Sequence, residues 1–166
     1  MKLLLLALFL VSGCSVSKSY RTTDVTQELN QYAIQLHTIS WTVERDYLEK
    51  QAFFNNFYHE GKNKNSFIIQ DLAYRLAELK KKKDSILSRS KSLSSVNDKL
   101  LIELSNKNEV SRTDPAFEKI KNLSKVTRPE VNTLISDYQS YKTASTNFSK
   151  FAYFTGNLWK KSTSVK

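Results

Sequence analysis

The chain has 166 residues, 26 Lys and Arg against 16 Asp and Glu, and a formal net charge of +10. A single cysteine excludes an internal disulfide, and three glycines with two prolines leave too few turn signals for an all-β fold. His37 and His59 are the only histidines, and no metal-ligand spacing or nucleophile elbow accompanies them, which argues against an enzyme, a cofactor or a bound metal.

In chain order, Lys2 opens an apolar run from Leu3 to Val11, followed by the small residues Ser12 and Gly13 and then Cys14. The run falls far short of the ~20 apolar residues a membrane-spanning helix needs. A positive start, an apolar middle and small residues before a cleavage point are instead the parts of a secretory signal. Val11-Ser12-Gly13-Cys14 resembles the lipobox of bacterial lipoprotein precursors. The resemblance implies recognition by a signal peptidase at Val11, Ser12 and Gly13, removal of residues 1–13, and a diacylglycerol on the sulfur of Cys14, whose amino group is usually acylated too. Several chains give stable attachment, because each buried CH2 contributes about 0.8 kcal/mol and one chain alone binds only marginally. Ser15 stands where an Asp implies inner-membrane retention, so the family rule points to the outer membrane and its periplasmic face, with surface display as the alternative.

Residues 14–23 read as a lipidated linker, 24–160 as one helical domain, and 161–166 as a flexible basic tail. Val25, Leu29, Tyr32, Leu36, Ile39 and Val43 alternate steps of four and three, which predicts a first helix up to a C-cap at Gly61. Ser66 can cap a second, along which Ile69, Leu72, Leu76, Leu79, Ile86, Leu93, Leu100 and Leu104 keep the rhythm while Lys83 and Ser90 interrupt it. The crowded serines from Ser85 to Ser95 mark a thin stretch. Asp114-Pro115 predicts a third start, with Asp as N-cap and Pro at the first helical position. Thr127 and Glu130 have capping-box spacing around Pro129, which predicts a third arm kinked or broken there. Val131, Leu134, Tyr138, Tyr141, Phe148, Phe151 and Leu158 carry the last stripe. Short polar connections, Gly61 to Asn65 and about Asn106 to Thr113, between arms of similar length predict an all-α fold, an elongated antiparallel three-helix bundle, up-down-up and coiled-coil-like.

Charge separates the arms. Asp24 to Glu60 holds six acids and two bases, Lys62 to Glu109 eleven bases and six acids, and Arg112 to Lys166 ten bases and four acids. The acidic first arm attracts the other two, and the surplus positive charge faces outward toward anionic lipid, cell-wall polymer or acidic protein. Export argues against nucleic acid as the target of the Lys80 to Lys83 run. Counting back from Gly61 sets Lys83 near Asp46, a pair that would fix register; the plainer reading is a snorkelling lysine.

After Asp137 no acid remains, while Tyr138, Tyr141, Phe148, Phe151, Tyr153, Phe154 and Trp159 alternate with lysines. In this topology they meet Phe53, Phe54, Phe57 and Tyr58 of the first arm and Phe67 and Tyr74 of the second, at the end away from Cys14. Many of these rings suit the thick part of a core. Adjacent pairs such as Phe53-Phe54 and Tyr153-Phe154 cannot share one face, so some rings must lie outside it. Phe54, Phe57, Phe151, Phe154 and Trp159 are therefore candidate contacts for an envelope protein. The chain reads as a lipid-anchored binding or assembly adaptor, the heptad stripes also permitting a homo-oligomer. The alternative is a structural tether. An N-terminal lipid, helical coil and terminal Lys166 are similar at the two termini to the major murein lipoprotein of enterobacteria, which implies Lys166 as a cell-wall attachment point.

Overall fold

The computed structural model describes residues 18–60 and 67–163, with side chains for all of these except Glu60 and residues 157–163. Three helices dominate: α1 (Thr22–Glu60), α2 (Phe67–Leu104) and α3 (Pro115–Thr163). Two short strands, β1 (Ser19–Arg21) and β2 (Glu109–Ser111), complete the set among the described residues.

The expected stripes form the interior. Leu29, Leu36, Ile39 and Val43 of α1, Ile69, Leu72, Leu76, Leu79, Ile86, Leu100 and Leu104 of α2, and Val131, Leu134, Tyr141 and Phe148 of α3 are all buried. Each such aliphatic or aromatic side chain contributes roughly 1.5–3 kcal/mol by leaving water. Contacts across the helices fix their directions. Ser40 meets Ser90 while Tyr47 meets Lys83, so α1 and α2 run oppositely. Arg89 meets Asp137 while Glu103 meets Lys119, so α2 and α3 do as well. Glu28 meets Ser124 while Asp46 meets Ser145, which sets α1 parallel to α3. The result is the up-down-up bundle, with α2, at 38 residues, about 57 Å long.

α3 begins where Asp114-Pro115 places it. The Asp114 carboxylate accepts from the Ala116 amide at 2.8 Å, a side-chain cap, and Lys107 pairs with the same carboxylate at 2.8 Å. The Thr127 start does not occur. α3 runs without a break past Pro129, because Thr127 and Val131 on either side are buried against the bundle and hold the backbone helical. Proline removes one helical hydrogen bond and crowds the preceding turn, at a typical cost of about 3 kcal/mol. Core burial on both flanks offsets that cost.

The stretch read as a polar connection, 106–113, contains β2, and the stretch read as linker contains β1. They pair antiparallel, Ser19 opposite Ser111, Tyr20 opposite Val110 and Arg21 opposite Glu109. Thr22 extends the clamp, its amide donating to Asn108 O at 3.1 Å and its hydroxyl to Lys107 O at 2.5 Å. Val110 is fully buried beneath the ladder and Tyr20 stacks on Phe117 at 5.6 Å. This end is the base of the bundle, and the opposite end, where α1 finishes and α2 begins, is its tip.

The interior is divided. A small core at the base joins Leu29, Leu100, Leu104, Val110, Ala116 and Ile120, and a larger one runs from Leu36 and Val131 to Phe148 and Ala152. In α2 the positions Ile69, Leu76, Lys83, Ser90, Asn97 and Leu104 recur every seven residues, and the polar ones occupy the middle. Ser90 is satisfied by Ser40 Oγ at 2.7 Å and Leu36 O at 3.2 Å. Asn97, fully buried near the seam of the two cores, has no hydrogen-bond partner for either amide atom among the described residues.

Candidate functional site

The tip and the flank of α1 toward α3 hold the groups that local physics leaves most unusual. Asp46, a core-like position, does not pair with Lys83. Its carboxylate accepts from Ser145 Oγ at 2.6 Å and Tyr141 Oη at 3.0 Å, and pairs with Lys50 at 3.2 Å. The reason is rotational: Asp46 lies on the edge of α1 that faces α3, where two hydroxyls converge on it. Burial opposes its charge, but the hydrogen bonds from Ser145, Lys50 and Tyr141 outweigh that and hold it below the usual aspartate range. Burial, together with this carboxylate, pushes the Tyr141 phenol up. Lys83 follows the plainer reading, its ammonium 4.6 Å from the Tyr47 ring centre and 3.0 Å from exposed Asp84. Farther down the same edge, Glu28 accepts from Ser124, Tyr32 and Arg128, which lowers its carboxyl to about 2. Both clusters join α1 to α3, and Glu28, Ser124 and Arg128 also line an open groove with Val25, Phe117 and Ile120.

The candidate contact rings divide into two groups. Phe54, Phe57 and Phe151 pack half-buried against the larger core rather than standing free. Phe54 stacks on Tyr58 at 6.0 Å, Phe57 on Phe53 at 6.1 Å, and Arg75 caps the face of Phe151 at 4.5 Å. Among the described candidates only Phe154 presents its ring to solvent, at 61% exposure. Its neighbour Tyr153 is 75% exposed, so neither member of that pair enters the core. Phe67 and Tyr74, seven residues apart on α2, are exposed as well. By the seven-residue repeat, Tyr74 lies one repeat beyond Lys81 and Phe154 two beyond Ser140, and Lys81 and Ser140 line one groove between α2 and α3. Tyr74 and Phe154 therefore continue the rows of these two groove-lining residues toward the tip. The side chain of Trp159, the lipobox residues Val11, Ser12, Gly13 and Cys14, the cap positions Gly61 and Ser66, and Lys166 lie outside the described residues.

A further set of exposed residues has no counterpart among the sequence-derived candidates. Ile34, Trp41 and Leu48 stand on the outward face of α1. Their spacing of seven was legible as a second stripe, but the first stripe on the same helix claimed the core.

Among the described residues no group of three or more His, Cys, Asp or Glu side chains is placed to hold a metal ion. No described helix is long and apolar enough to cross a membrane. No family model, curated protein or solved structure matches this chain.

Proposed function

We propose that this chain is a lipid-anchored envelope adaptor, held by Cys14 at a membrane and engaging a protein partner through the rings at the tip. The observation that carries the reading is the exposure of Tyr153 and Phe154 on α3 and of Phe67 and Tyr74 on α2, all toward the end of the bundle opposite the base. Exposed aromatic side chains concentrate binding energy because they bring a large apolar area with few rotatable bonds. The base supports the other half of the reading. The clamp fastens the chain at Ser19, with four residues, 15–18, between it and Cys14, so the two Cα positions are at most about 18 Å apart. Such a leash keeps the base near the lipid and carries the tip roughly 57 Å away, the length of the 38-residue α2. An outer-membrane, periplasm-facing location is part of the same proposal.

The test is photo-crosslinking in living cells from a photoreactive residue replacing Phe154, with adducts identified by mass spectrometry. A single dominant protein adduct that disappears from the membrane fraction in a Cys14→Ser strain is the expected result. Self-adducts alone sink the adaptor reading, and an unchanged membrane fraction in Cys14→Ser sinks the lipid anchor.

A further inference from the structure

The outward face of α1 carries a seam that the bundle does not use. Ile34, Trp41 and Leu48 recur every seven residues and are 67%, 56% and 55% exposed. At 100° per residue, Trp41 lies about 140° around the helix from the buried Leu36, so the seam points away from both neighbouring helices. Thr38, Arg45 and Ala52 fill the alternate steps of four, which completes a heptad pattern over about 21 Å from Ile34 to Leu48. Trp41, Leu48 and Ala52 line one shallow groove together with Glu44, Arg45 and Glu49.

Charge limits what such a seam accepts. Glu44 flanks the apolar row on one side and Glu49 on the other, the placement of the charged residues beside a coiled-coil seam. Arg45 leans over the Trp41 ring at 5.2 Å and pairs with Glu49 at 3.2 Å, so its charge is matched within the helix. Glu44 has no ion-pair partner among the described residues. The row is therefore apolar at Ile34, Trp41 and Leu48, carries an Arg45 already matched by Glu49 between the last two, and keeps the Glu44 carboxylate as its uncompensated charge, in a chain whose overall charge is +10. A bilayer with anionic headgroups meets those carboxylates unfavourably, and a second copy docking seam to seam brings two acid-bordered rows together.

We propose that this face of α1 is an interaction surface separate from the tip, built to take an amphipathic partner helix whose apolar row is bordered by lysine or arginine. Trp41 is its anchor and Glu44 its charge selector. The proposal stands whether or not Cys14 is acylated, since it uses neither the base nor the tip.

The experiment uses the folded chain and two fluorescent three-heptad peptides, each with leucine at the seam positions. One has lysine at all flanking positions and the other has glutamate. Fluorescence anisotropy is expected to show saturable binding of the lysine peptide and at least about tenfold weaker binding of the glutamate peptide. Trp41→Ala should weaken the lysine peptide by about tenfold or more, while Phe154→Ala leaves it unchanged. Glu44→Lys should weaken the lysine peptide and strengthen the glutamate peptide, a reversal that a misfolded variant does not produce. Equal binding of both peptides, binding of neither, or indifference to Trp41→Ala overturns the proposal. Trp41-dependent self-association in the ultracentrifuge would reassign the seam to a second copy, and Trp41-dependent binding to phosphatidylglycerol vesicles would reassign it to a membrane; either result also overturns it.

Discussion

At the base, Thr22 bonds to Asn108 and Lys107, Lys107 pairs with Asp114, Lys119 with Glu103, and Val110 is sealed beneath the ladder. At the tip, Phe54, Phe57 and Phe151 rest on the core, while Tyr153, Phe154, Phe67 and Tyr74 remain outside it. One end has directional partners already chosen, and the other retains apolar area without them. Because buried apolar area stabilises at roughly 25 cal/mol per Å2 whichever molecule covers it, both ends still have free energy to gain from contact, the tip through aromatic rings and the base half through the exposed aliphatic side chains of Val96, Ile102 and Val126. The difference teaches that one bundle can lock an end with directional bonds between strands and side chains while its other end leaves aromatic rings outside the core.

The strongest test of this contrast is to empty each core in turn. Phe148→Ala should lower unfolding free energy by about 3–5 kcal/mol and Leu104→Ala by about 2–5 kcal/mol, measured by denaturant titration. One cooperative transition is expected in both, because α1, α2 and α3 each run through both cores; a second transition for Leu104→Ala would split the molecule into two folding units. Next in size, Asn97→Leu should raise stability by about 1–3 kcal/mol, since it replaces an unpaired buried amide with an apolar side chain of similar volume. No gain, or a loss, would show that Asn97 is satisfied in solution.

Glu28→Gln probes the helix contact just above the base through pH. The folded carboxyl lies at about 2 against an ordinary 4.5, so the fold favours the charged form. Its stabilisation is complete above about pH 4.5 and is lost as pH falls toward 2. The variant should lack that component of the acid slope, and a slope identical to the wild type would refute the assignment. The smallest effect belongs to the tip. Tyr153→Ala and Phe154→Ala should each change stability by less than about 0.5 kcal/mol, as exposed positions do, while reducing partner crosslinking. A larger loss of stability in either would place that ring in the core.

Much of this was legible in the sequence, and the parts that were not share a cause. The stripes Leu29 to Val43, Ile69 to Leu104 and Val131 to Phe148 are periodic, and periodicity survives without knowledge of neighbours. Asp114-Pro115 is equally local, its cap closing on Ala116 two residues away. The clamp was invisible because three-residue strands carry no period and their partner lies across two helices. Thr127-Glu130 misled because a capping pattern is a local preference, and burial of Thr127 and Val131 overrode it. The pairing of Lys83 with Asp46 failed on rotation rather than height, since Asp46 turns toward α3. At the tip, composition announced surplus rings, but adjacency alone did not reveal that Tyr153 and Phe154 both face out. The seam on α1 was also periodic, yet deciding which of two stripes is core requires the other helices.

Ser19 in β1 and Glu109 in β2 are hydrogen-bonded across 90 residues of chain. That separation imposes an order of events. When the polypeptide emerges N-terminus first, β1 must wait unpaired until all of α1 and α2 have followed, whereas either helix can begin locally. Closure of the ladder therefore serves as a completion mark: protected amides at Tyr20 and Val110 in a pulse-labelling experiment would report chains whose helical hairpin has already come together.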